Sequence, residues 1–219
     1  MNERLMEALA ARLAGPLPGP MVGSRFEPRP RLGRRYDQPP PDARPAAVLI
    51  LLYPHEGRWH LPLTLRPAHL PDHAGQVSLP GGALEPGETG RQAALREFHE
   101  ELGAADRQIE LLGGLSPVYV HASNFRIEPW VGSSGRRPEM VPNAAEVEKL
   151  FEVPLEHLLD PANFGTHERH YQGHPYTAPH FLWQGYRIWG ATCMILGELV
   201  TLLDEVEAAA RKTRNEEIP

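Results

Sequence analysis

The stretch from Gly82 to Ala104, GALEPGETGRQAALREFHEELGA, places five glutamates in and beside a single predicted helix. Thr89 and Gln92 have the S/T-x-x-E/Q spacing of a capping box, which marks the start of a helix. Gly103 supplies the usual C-terminal stop. The sequence therefore predicts a helix over residues 89–102.

The predicted helix has an apolar stripe and an acidic side. At about 100° per residue, one stripe contains the apolar residues, and a helix buries such a stripe. These residues are Ala94, Leu95, Phe98 and Leu102. The three glutamates of E-x-x-E-E are predicted on the opposite side, where like charges one turn apart weaken a helix by about 0.2–0.5 kcal/mol per pair. These are Glu97, Glu100 and Glu101.

A cation is one way to offset this repulsion. Arg96 can neutralise Glu100 at the i+4 position, but no basic residue is placed on the face of Glu97 and Glu101. Hard divalent cations favour such all-oxygen sites. Taken alone, however, the spacing is also typical of a solvated acidic face.

The glycines beside the helix favour the metal-binding interpretation. Gly81 and Gly82 precede the helix and Pro86-Gly87 tightens the loop, so the backbone can approach a ligand closely. With these residues, the stretch resembles an intact Nudix box, G-x5-E-x7-R-E-U-x-E-E-x-G-U, where U is a bulky apolar residue. The matching residues are Gly82, Glu88, Arg96, Glu97, Phe98, Glu100, Glu101, Gly103 and Ala104.

The resemblance implies an α/β fold, in which a mixed β-sheet is sandwiched between α-helices, and an enzyme that hydrolyses phosphoric anhydrides with Mg²⁺ or Mn²⁺. It implies that the metal ligands are the carboxylates of Glu97, Glu100 and Glu101 and the backbone carbonyl of Gly82. Glu88 and Arg96 are implied to orient these ligands. An ordinary i, i+4 ion pair between Arg96 and Glu100 is compatible with that role.

The general base is left open by the resemblance, because Nudix enzymes use either a box glutamate or one from a later loop. Glu146 is the loop candidate, since it matches a loop acid of the subfamily described next. An isolated glutamate at this position is also typical of a charge at a helix start.

A segment upstream of the box resembles coenzyme A pyrophosphatases of the Nudix family, whose signature runs roughly LLTxRxxxLRxHxGQVxFPGG. Residues 63–82 read LTLRPAHLPDHAGQVSLPGG, which departs from the signature at Pro71 and Leu79, where the family usually has arginine and phenylalanine. Later segments also resemble this subfamily, so the likeness covers about Ala46 to Leu199. It implies a coenzyme A-like nucleotide substrate, cleaved to 3',5'-ADP and 4'-phosphopantetheine or its acyl form.

The substrate contacts that this segment implies are Arg66, His73 and Gln76. A guanidinium can grip a phosphate bidentately, and the other two side chains offer neutral donors. A surface arginine and a loop histidine are the alternatives. Because Pro71 breaks the pattern, another nucleoside diphosphate-X compound, ADP-ribose first, is the alternative substrate. A Nudix-fold module that binds a nucleotide without cutting it is the alternative outside enzymes.

Composition limits the remaining functions. The 219 residues are 41% hydrophobic and 23% charged, and no apolar run approaches the ~20 residues of a membrane span. A net charge of −6 argues against a nucleic-acid partner. Cys193 is the only cysteine, so no intrachain disulfide forms, and its apolar neighbours predict a core thiol. The N-terminus lacks the features of a signal peptide, so we expect a soluble, cytoplasmic protein.

Two regions are predicted along the chain. Residues 1–45 form an amphipathic helix at 2–13, suited to packing on the body or on a second subunit in a homodimer, and a proline-rich arm that is either wrapped or loose. Residues 46–219 form the Nudix domain. Its predicted strands are 46–53, 59–66, 76–79, 109–120 and 125–131, and its further helices are 147–158 and 189–211.

The region around residues 167–186 is rich in histidine and aromatic residues. His167, His170, His174 and His180 invite a zinc hypothesis, but no helical H-x3-H pair faces a further acid or thiol at the usual spacing. Strands or a pocket lid, with aromatic rings that stack on an adenine, are the favoured interpretation.

Overall fold

The computed structural model describes residues 3–20, 24–69, 74–104 and 109–216. His73, a predicted substrate contact, and Pro71 lie outside these ranges. The helices are α1 (Glu3–Leu13), α2 (Gly90–Leu102), α3 (Leu155–Leu159) and α4 (Ala191–Glu216), with a 3₁₀ turn at Pro161–Asn163. The strands are β1 (Arg44–His55), β2 (Arg58–Leu65), β3 (Val77–Ser78), β4 (Gly81–Ala83), β5 (Glu110–Gly114), β6 (Val118–Val120), β7 (Phe125–Ser133), β8 (Lys149–Pro154), β9 (Phe164–Tyr171), β10 (His174–Trp183) and β11 (Tyr186–Trp189).

The larger of two sheets in the described residues is mixed. Its central order is β3-β2-β1-β7-β5, while β4, β6 and β8 pair with β1, β7 and β2 respectively. Strands β1 and β7 run parallel, and the other pairs are antiparallel. The smaller sheet, β11-β10-β9, is antiparallel. The predicted α/β architecture with a mixed sheet between helices is confirmed.

Strand β1 is covered on both faces, which explains its continuous apolar sequence. Leu49 and Leu51 belong to a core cluster with Phe98 of α2, whereas Ile50 and Leu52 belong to the cluster that contains residues of α1 and α4. Successive side chains of a strand point to opposite faces, so a run without alternation fits a central strand between two helical layers. This arrangement fixes α2 against one face of β1.

The helix predicted over 147–158 is wrong. Residues 149–154 form β8, which pairs antiparallel with β2, and only Leu155–Leu159 is helical. Phe151 and Val153 are buried and alternate with partly exposed residues, which is the period of a strand. Pro154, at the N-cap of α3, has an extended backbone and separates the two elements. Apolar spacing in so short a segment does not distinguish the two periods.

The single strand predicted over 109–120 is two strands, β5 and β6, interrupted at residues 115–117. Pro117 lacks the N–H that a continuous ladder needs. Ser116 turns instead toward α4, where its N and Oγ donate to the buried carboxylate of Glu198 at 2.9 and 2.7 Å. This contact ties the interruption to the core.

The arm between α1 and β1 is wrapped on the body wherever the structure describes it. Arg29 exchanges two backbone hydrogen bonds with Thr177 of β10, and Tyr119 N of β6 donates to Tyr36 O at 2.8 Å. The ring of Phe26 packs so closely on α4 that a Cβ at Gly197 would meet its Cγ at 2.4 Å. The arm therefore connects the small sheet to the large one.

Candidate active site

Helix α2 is fixed at both ends by the predicted caps. Thr89 N donates to Gln92 Oε1 at 2.9 Å, and Gln92 N donates to Thr89 Oγ1 at 3.4 Å, so the capping box is confirmed. Gly103 adopts a left-handed conformation with φ 67°, and its N donates to His99 O at 2.7 Å. The glutamates of α2 therefore project from a helix with a fixed start and end.

Glu101 was predicted to lie opposite the apolar stripe, and this prediction is wrong. Its side chain is buried, with only 3% of the residue exposed. It follows Ala94 by almost two full helical turns, so it lies at the border of the buried stripe. Gly81 N donates to Glu101 Oε1 at 3.5 Å, and Glu101 Oε2 is buried without a hydrogen-bond partner in the described residues. Burial raises the pKa of Glu101 to about 8.

Glu97 lies against the backbone of Gly82. A Cβ built on Gly82 would stand 2.3 Å from Glu97 Oε1, so a larger residue at this position would displace the Glu97 carboxylate. Gly82 is held there because β4 pairs with β1, opposite Ala47. Burial also raises the pKa of Glu97, although the adjacent Arg96 opposes this shift. The loop and the helix thus bring a backbone segment, the buried carboxylate of Glu101 and the partly buried carboxylate of Glu97 together.

Arg96 links the loop to the helix. Its Nε and Nη2 donate to Glu88 Oε1 and Oε2 at 2.9 and 3.0 Å, and Nη2 also donates to Ala83 O at 3.0 Å. Its Nη1 donates to Glu97 and to Glu100, both at 2.9 Å. Glu88 Oε2 further accepts from the backbone N of Glu85 at 2.9 Å. These hydrogen bonds join Glu88, Arg96, Glu97 and Glu100 in one network, and the orienting role of Glu88 and Arg96 stays a prediction.

The loop that carries Glu146 packs on the C-terminal end of α2. Asn143 N donates to Glu101 O at 2.8 Å, and Asn143 Nδ2 donates to Glu146 Oε1 at 3.3 Å. The charge of Glu146 contributes to the raised pKa values of both Glu97 and Glu101. The structure therefore places the predicted loop acid within electrostatic reach of the carboxylates of α2.

Arg66 and Gln76 lie in the cavity beside the glycines that precede α2. Arg66 N donates to Gln76 O at 3.0 Å, and the positive charge of Arg66 opposes the raised pKa of Glu101. Both residues line a cavity of about 650 Å³ together with Gly81 and Gly82. The predicted substrate contacts within the described residues therefore share one cavity with the glycine loop of the box.

The same cavity has walls that sequence reasoning missed. Arg34 and Tyr36 of the arm, and Arg169 of β9, line it together with the glycine loop. Tyr171 and Tyr176, which were predicted to belong to strands or a pocket lid, line it as well. No local sequence signal marks the arm residues, because their position depends on the pairing of Arg29 with Thr177.

The carboxylates of α2 fit a divalent cation by their chemistry. Glu101 Oε2 is a buried acceptor without a partner, and a hard cation is the kind of group that satisfies such an oxygen. Within the described residues, no three His, Cys, Asp or Glu side chains are already gathered as a metal cage. Arg96 Nη1 donates hydrogen bonds to both Glu97 and Glu100.

The histidine-rich region lies in the smaller sheet. His167 and His180 approach each other with their Nδ1 atoms 3.1 Å apart, beside the ring of Trp189. Burial lowers the pKa of both histidines.

Cys193 is fully buried in α4, as predicted for a core thiol, and burial raises its pKa. The helices of the described residues include none with the length and apolar character of a membrane span.

Comparison with known proteins places this architecture in a family. The family model described as the NUDIX domain matches residues 43–175, which contain β1, α2 and the glutamates of α2. The chain belongs to the Nudix hydrolase family. The predicted membership, and the prediction that the protein is a hydrolase, are confirmed.

The chain is similar to several individual Nudix proteins. The chain is 35% identical over 176 residues to Nudix hydrolase 3 of Caenorhabditis elegans, with 72% of each chain covered. It is 38% identical over 167 residues to the human mitochondrial coenzyme A diphosphatase NUDT8, with 74% of this chain and 71% of that protein covered. The crystal structure of the Nudix hydrolase RenU from M. smegmatis is 26% identical and covers 52% of this chain and 73% of its own, with a TM-score of 0.46.

Proposed function

We propose that this Nudix hydrolase cleaves the diphosphate of coenzyme A or a derivative, releasing 3',5'-ADP and 4'-phosphopantetheine or its acyl form. The observation that carries the proposal is the charge of the cavity beside the box. Four arginines line it, namely Arg34, Arg44, Arg66 and Arg169, and none of the described residues that line it is an aspartate or glutamate. A chain with a net charge of −6 thus presents a cationic cavity, which suits a polyanionic substrate.

The size of the cavity and the relatives support the same substrate class. A volume of about 650 Å³ lies within the usual range of about 300–1,000 Å³ for small-molecule and cofactor sites. NUDT8, which shares 38% identity, is named as a coenzyme A diphosphatase. The segment from Leu63 to Gly82, which resembles coenzyme A pyrophosphatases, contributes Arg66, Gln76 and the two glycines to the cavity wall.

Glu97, Glu100, Glu101 and the carbonyl of Gly82 are the proposed ligands of Mg²⁺ or Mn²⁺. When bound, the cation neutralises charge on the two phosphates and on the leaving group. Arg96 pairs with Glu97 and Glu100 and keeps these carboxylates in place through its anchor on Glu88. Arg66 and Gln76 hold the substrate beside the glycine loop.

Glu146 is the proposed general base. A water attacks one phosphorus of the diphosphate, its proton passes to the Glu146 carboxylate, and the bond from that phosphorus to the bridging oxygen breaks. The bridging oxygen leaves with the other phosphate, so that two phosphomonoesters result. Asn143 orients Glu146 through the hydrogen bond to Oε1.

A substrate panel tests the proposal. Purified protein with Mg²⁺, and separately with Mn²⁺, is incubated with coenzyme A, acetyl-coenzyme A, ADP-ribose, NADH, a diadenosine polyphosphate and a nucleoside triphosphate. We expect the highest kcat/KM for coenzyme A or its acyl form, with 3',5'-ADP as one product. Preferential cleavage of ADP-ribose would replace the substrate and keep the reaction class. Binding of nucleotides without any turnover would identify a non-catalytic module.

Three further predictions concern the protein outside its site. The division into an arm at residues 1–45 and a Nudix domain at 46–219, a homodimer, and a cytoplasmic location all stay predictions. The wrapped arm contacts both sheets, so the two predicted regions pack against each other.

A further inference from the structure

The cavity wall formed by the arm and the β9–β10 hairpin carries cations that the diphosphate reaction does not require. Arg34 is only 7% exposed, and its guanidinium stacks over the ring of Tyr176 at 4.1 Å and near that of Tyr171 at 4.8 Å. Its Nε and Nη2 donate to the carbonyls of Arg31 and Pro30 at 2.8 and 3.2 Å. Among the described residues, no carboxylate forms an ion pair with it.

A buried guanidinium without a counter-ion is costly, because desolvation is not offset by a paired charge. Stacking on tyrosine rings compensates part of that cost and leaves other N–H groups of the fork available. Arg34 is therefore held in place by its neighbours and still lacks an anion. A ligand that enters the cavity can supply it.

Arg169 adds a second cation to this wall. It lies directly opposite Tyr176 in the register of β9 and β10, and its guanidinium stacks over the ring of Trp189 at 4.3 Å. It lines the same cavity as Arg34 but is exposed, so it stands at the solvent side of the wall. Arg34 belongs to the arm and Arg169 to the hairpin. Backbone hydrogen bonds between Arg29 and Thr177 join these two segments.

Tyr36 supplies an independent sign that a ligand completes this wall. The residue is 8% exposed and lines the cavity, and its hydroxyl is buried without a hydrogen-bond partner in the described residues. Burial raises its pKa to about 12, so the hydroxyl keeps its proton at neutral pH. A buried donor that lacks an acceptor is rare in folded proteins, and an anion held by Arg34 offers one.

We propose that Arg34, Tyr36 and Arg169 form a second anion subsite, which binds a phosphomonoester that the substrate carries outside its diphosphate. The inference rests on the proposed function, in which the 3'-phosphate of coenzyme A is that group. Arg66 and the glycine loop hold the diphosphate, and the arm and hairpin hold the additional phosphate. The subsite makes the arm a specificity element of the enzyme.

The kinetic test compares coenzyme A with dephospho-coenzyme A, which lacks only this phosphate. We expect the native protein to prefer coenzyme A at least tenfold in kcat/KM, mainly through KM, since a charge-assisted phosphate contact acts on binding. Arg169→Gln and Tyr36→Phe should each reduce this preference several-fold. Equal use of the two substrates by the native protein, or equal losses for both substrates in the variants, would overturn the subsite.

Two matched variants separate a local subsite from general positive charge. Arg187→Gln removes one charge from the same small sheet, on an exposed residue that does not line the cavity, and should leave the preference unchanged. Arg44→Gln removes a cavity arginine that stacks on Phe125, and should not lower the preference as Arg169→Gln does. If Arg44→Gln lowers it as much, the subsite as assigned is wrong.

A binding experiment keeps the inference distinct from the proposed function. Titration calorimetry with adenosine 3',5'-bisphosphate and with AMP requires no turnover. Tighter binding of the bisphosphate, reduced by Arg169→Gln, supports the subsite even when coenzyme A is not cleaved, in which case the proposed function alone fails. Cleavage of coenzyme A together with equal binding of the two nucleotides rejects the subsite and keeps the function.

Discussion

Arg96 holds Glu88 with two parallel hydrogen bonds, from Nε and Nη2, at 2.9 and 3.0 Å. This fork joins the loop before α2 to the helix itself. A lysine cannot reproduce the bidentate geometry or keep the third contact to Ala83 O. We expect Arg96→Lys to lower kcat by about ten- to a hundredfold, since loss of a residue that orients metal ligands typically lowers activity by that factor.

The control for that change is Arg91→Lys, an exposed arginine of the same helix. It should leave kcat and thermal stability near their native values. Steady-state kinetics over a range of Mg²⁺ concentrations measure both variants. A native kcat in Arg96→Lys would show that the fork has no part in positioning the carboxylates.

Gly82→Ala should abolish metal binding while the fold is retained. The added methyl would stand 2.3 Å from Glu97 Oε1, so the carboxylate or strand β4 must move. Gly135→Ala is the matched control, because a Cβ there meets nothing within 4 Å. The measurement is the rise in melting temperature on addition of Mn²⁺. An equal rise in both variants would contradict the role of Gly82.

Glu100→Gln keeps the size of the side chain and removes its charge. As a proposed metal ligand, it should lower turnover at least about a hundredfold, which corresponds to a few kcal/mol of transition-state stabilisation. Glu85→Gln, an exposed glutamate of the same loop-helix stretch, should turn over substrate like the native protein. Unchanged hydrolysis in Glu100→Gln would place the active site elsewhere.

Metal stabilisation should increase with pH. The pKa of Glu101 is raised to about 8, well above the ~4.3 of an unfolded glutamate. Between these values, the metal-free folded state holds a proton that the unfolded state has released, so the free energy of unfolding falls as pH rises. A cation must displace that proton below about pH 8 but not above it.

Scanning calorimetry at pH 6 and pH 9, with Mg²⁺ or with EDTA, measures this coupling. We expect a larger Mg²⁺-induced rise in melting temperature at pH 9. Without metal, the stability of the native protein should fall between pH 6 and pH 9. In Glu101→Gln, whose side chain is neutral at every pH, this fall should be much smaller. An Mg²⁺ effect that is independent of pH would refute the proton competition.

Gly197→Ala tests how firmly the arm is attached. The new methyl would meet the ring of Phe26 at 2.4 Å, and overpacking of this kind costs about 1–3 kcal/mol. We expect a lower melting temperature and faster proteolytic cleavage within the arm. Gly135→Ala again serves as the control. Unchanged proteolysis would mean that α4 does not hold the arm.

The sequence predicted those parts of the fold that local rules determine. The capping box at Thr89 and the stop at Gly103 depend on neighbours within one turn, and both are present. Strand β8 was misassigned because its pairing with β2 decides its conformation, and that pairing joins distant parts of the chain. Glu101 was placed on the wrong side because it lies at the border of the stripe, where angular reasoning is least decisive.

The candidate site also has some contacts that local spacing predicts and others that depend on distant segments of the chain. Arg96 and Glu100 interact as their i, i+4 spacing on one helix predicts, whereas the hydrogen bond from Arg96 to the adjacent Glu97 was not expected from the spacing. Arg34 and Tyr36 come together with Arg169 only because the arm crosses the small sheet, and nothing in the local sequence encodes that crossing. Such contacts between distant segments need the folded chain.

Most of the proposed anion subsite and the hydrolytic helix lie on different segments of the chain. Residues 43–175 match the family model and contain the carboxylates of α2 and Arg169 of the subsite, whereas Arg34 and Tyr36 lie before that region. If the subsite is as proposed, exchange of the arm should change which molecules the enzyme prefers while the hydrolytic helix keeps its sequence. For protein engineering, the arm is the place at which to begin.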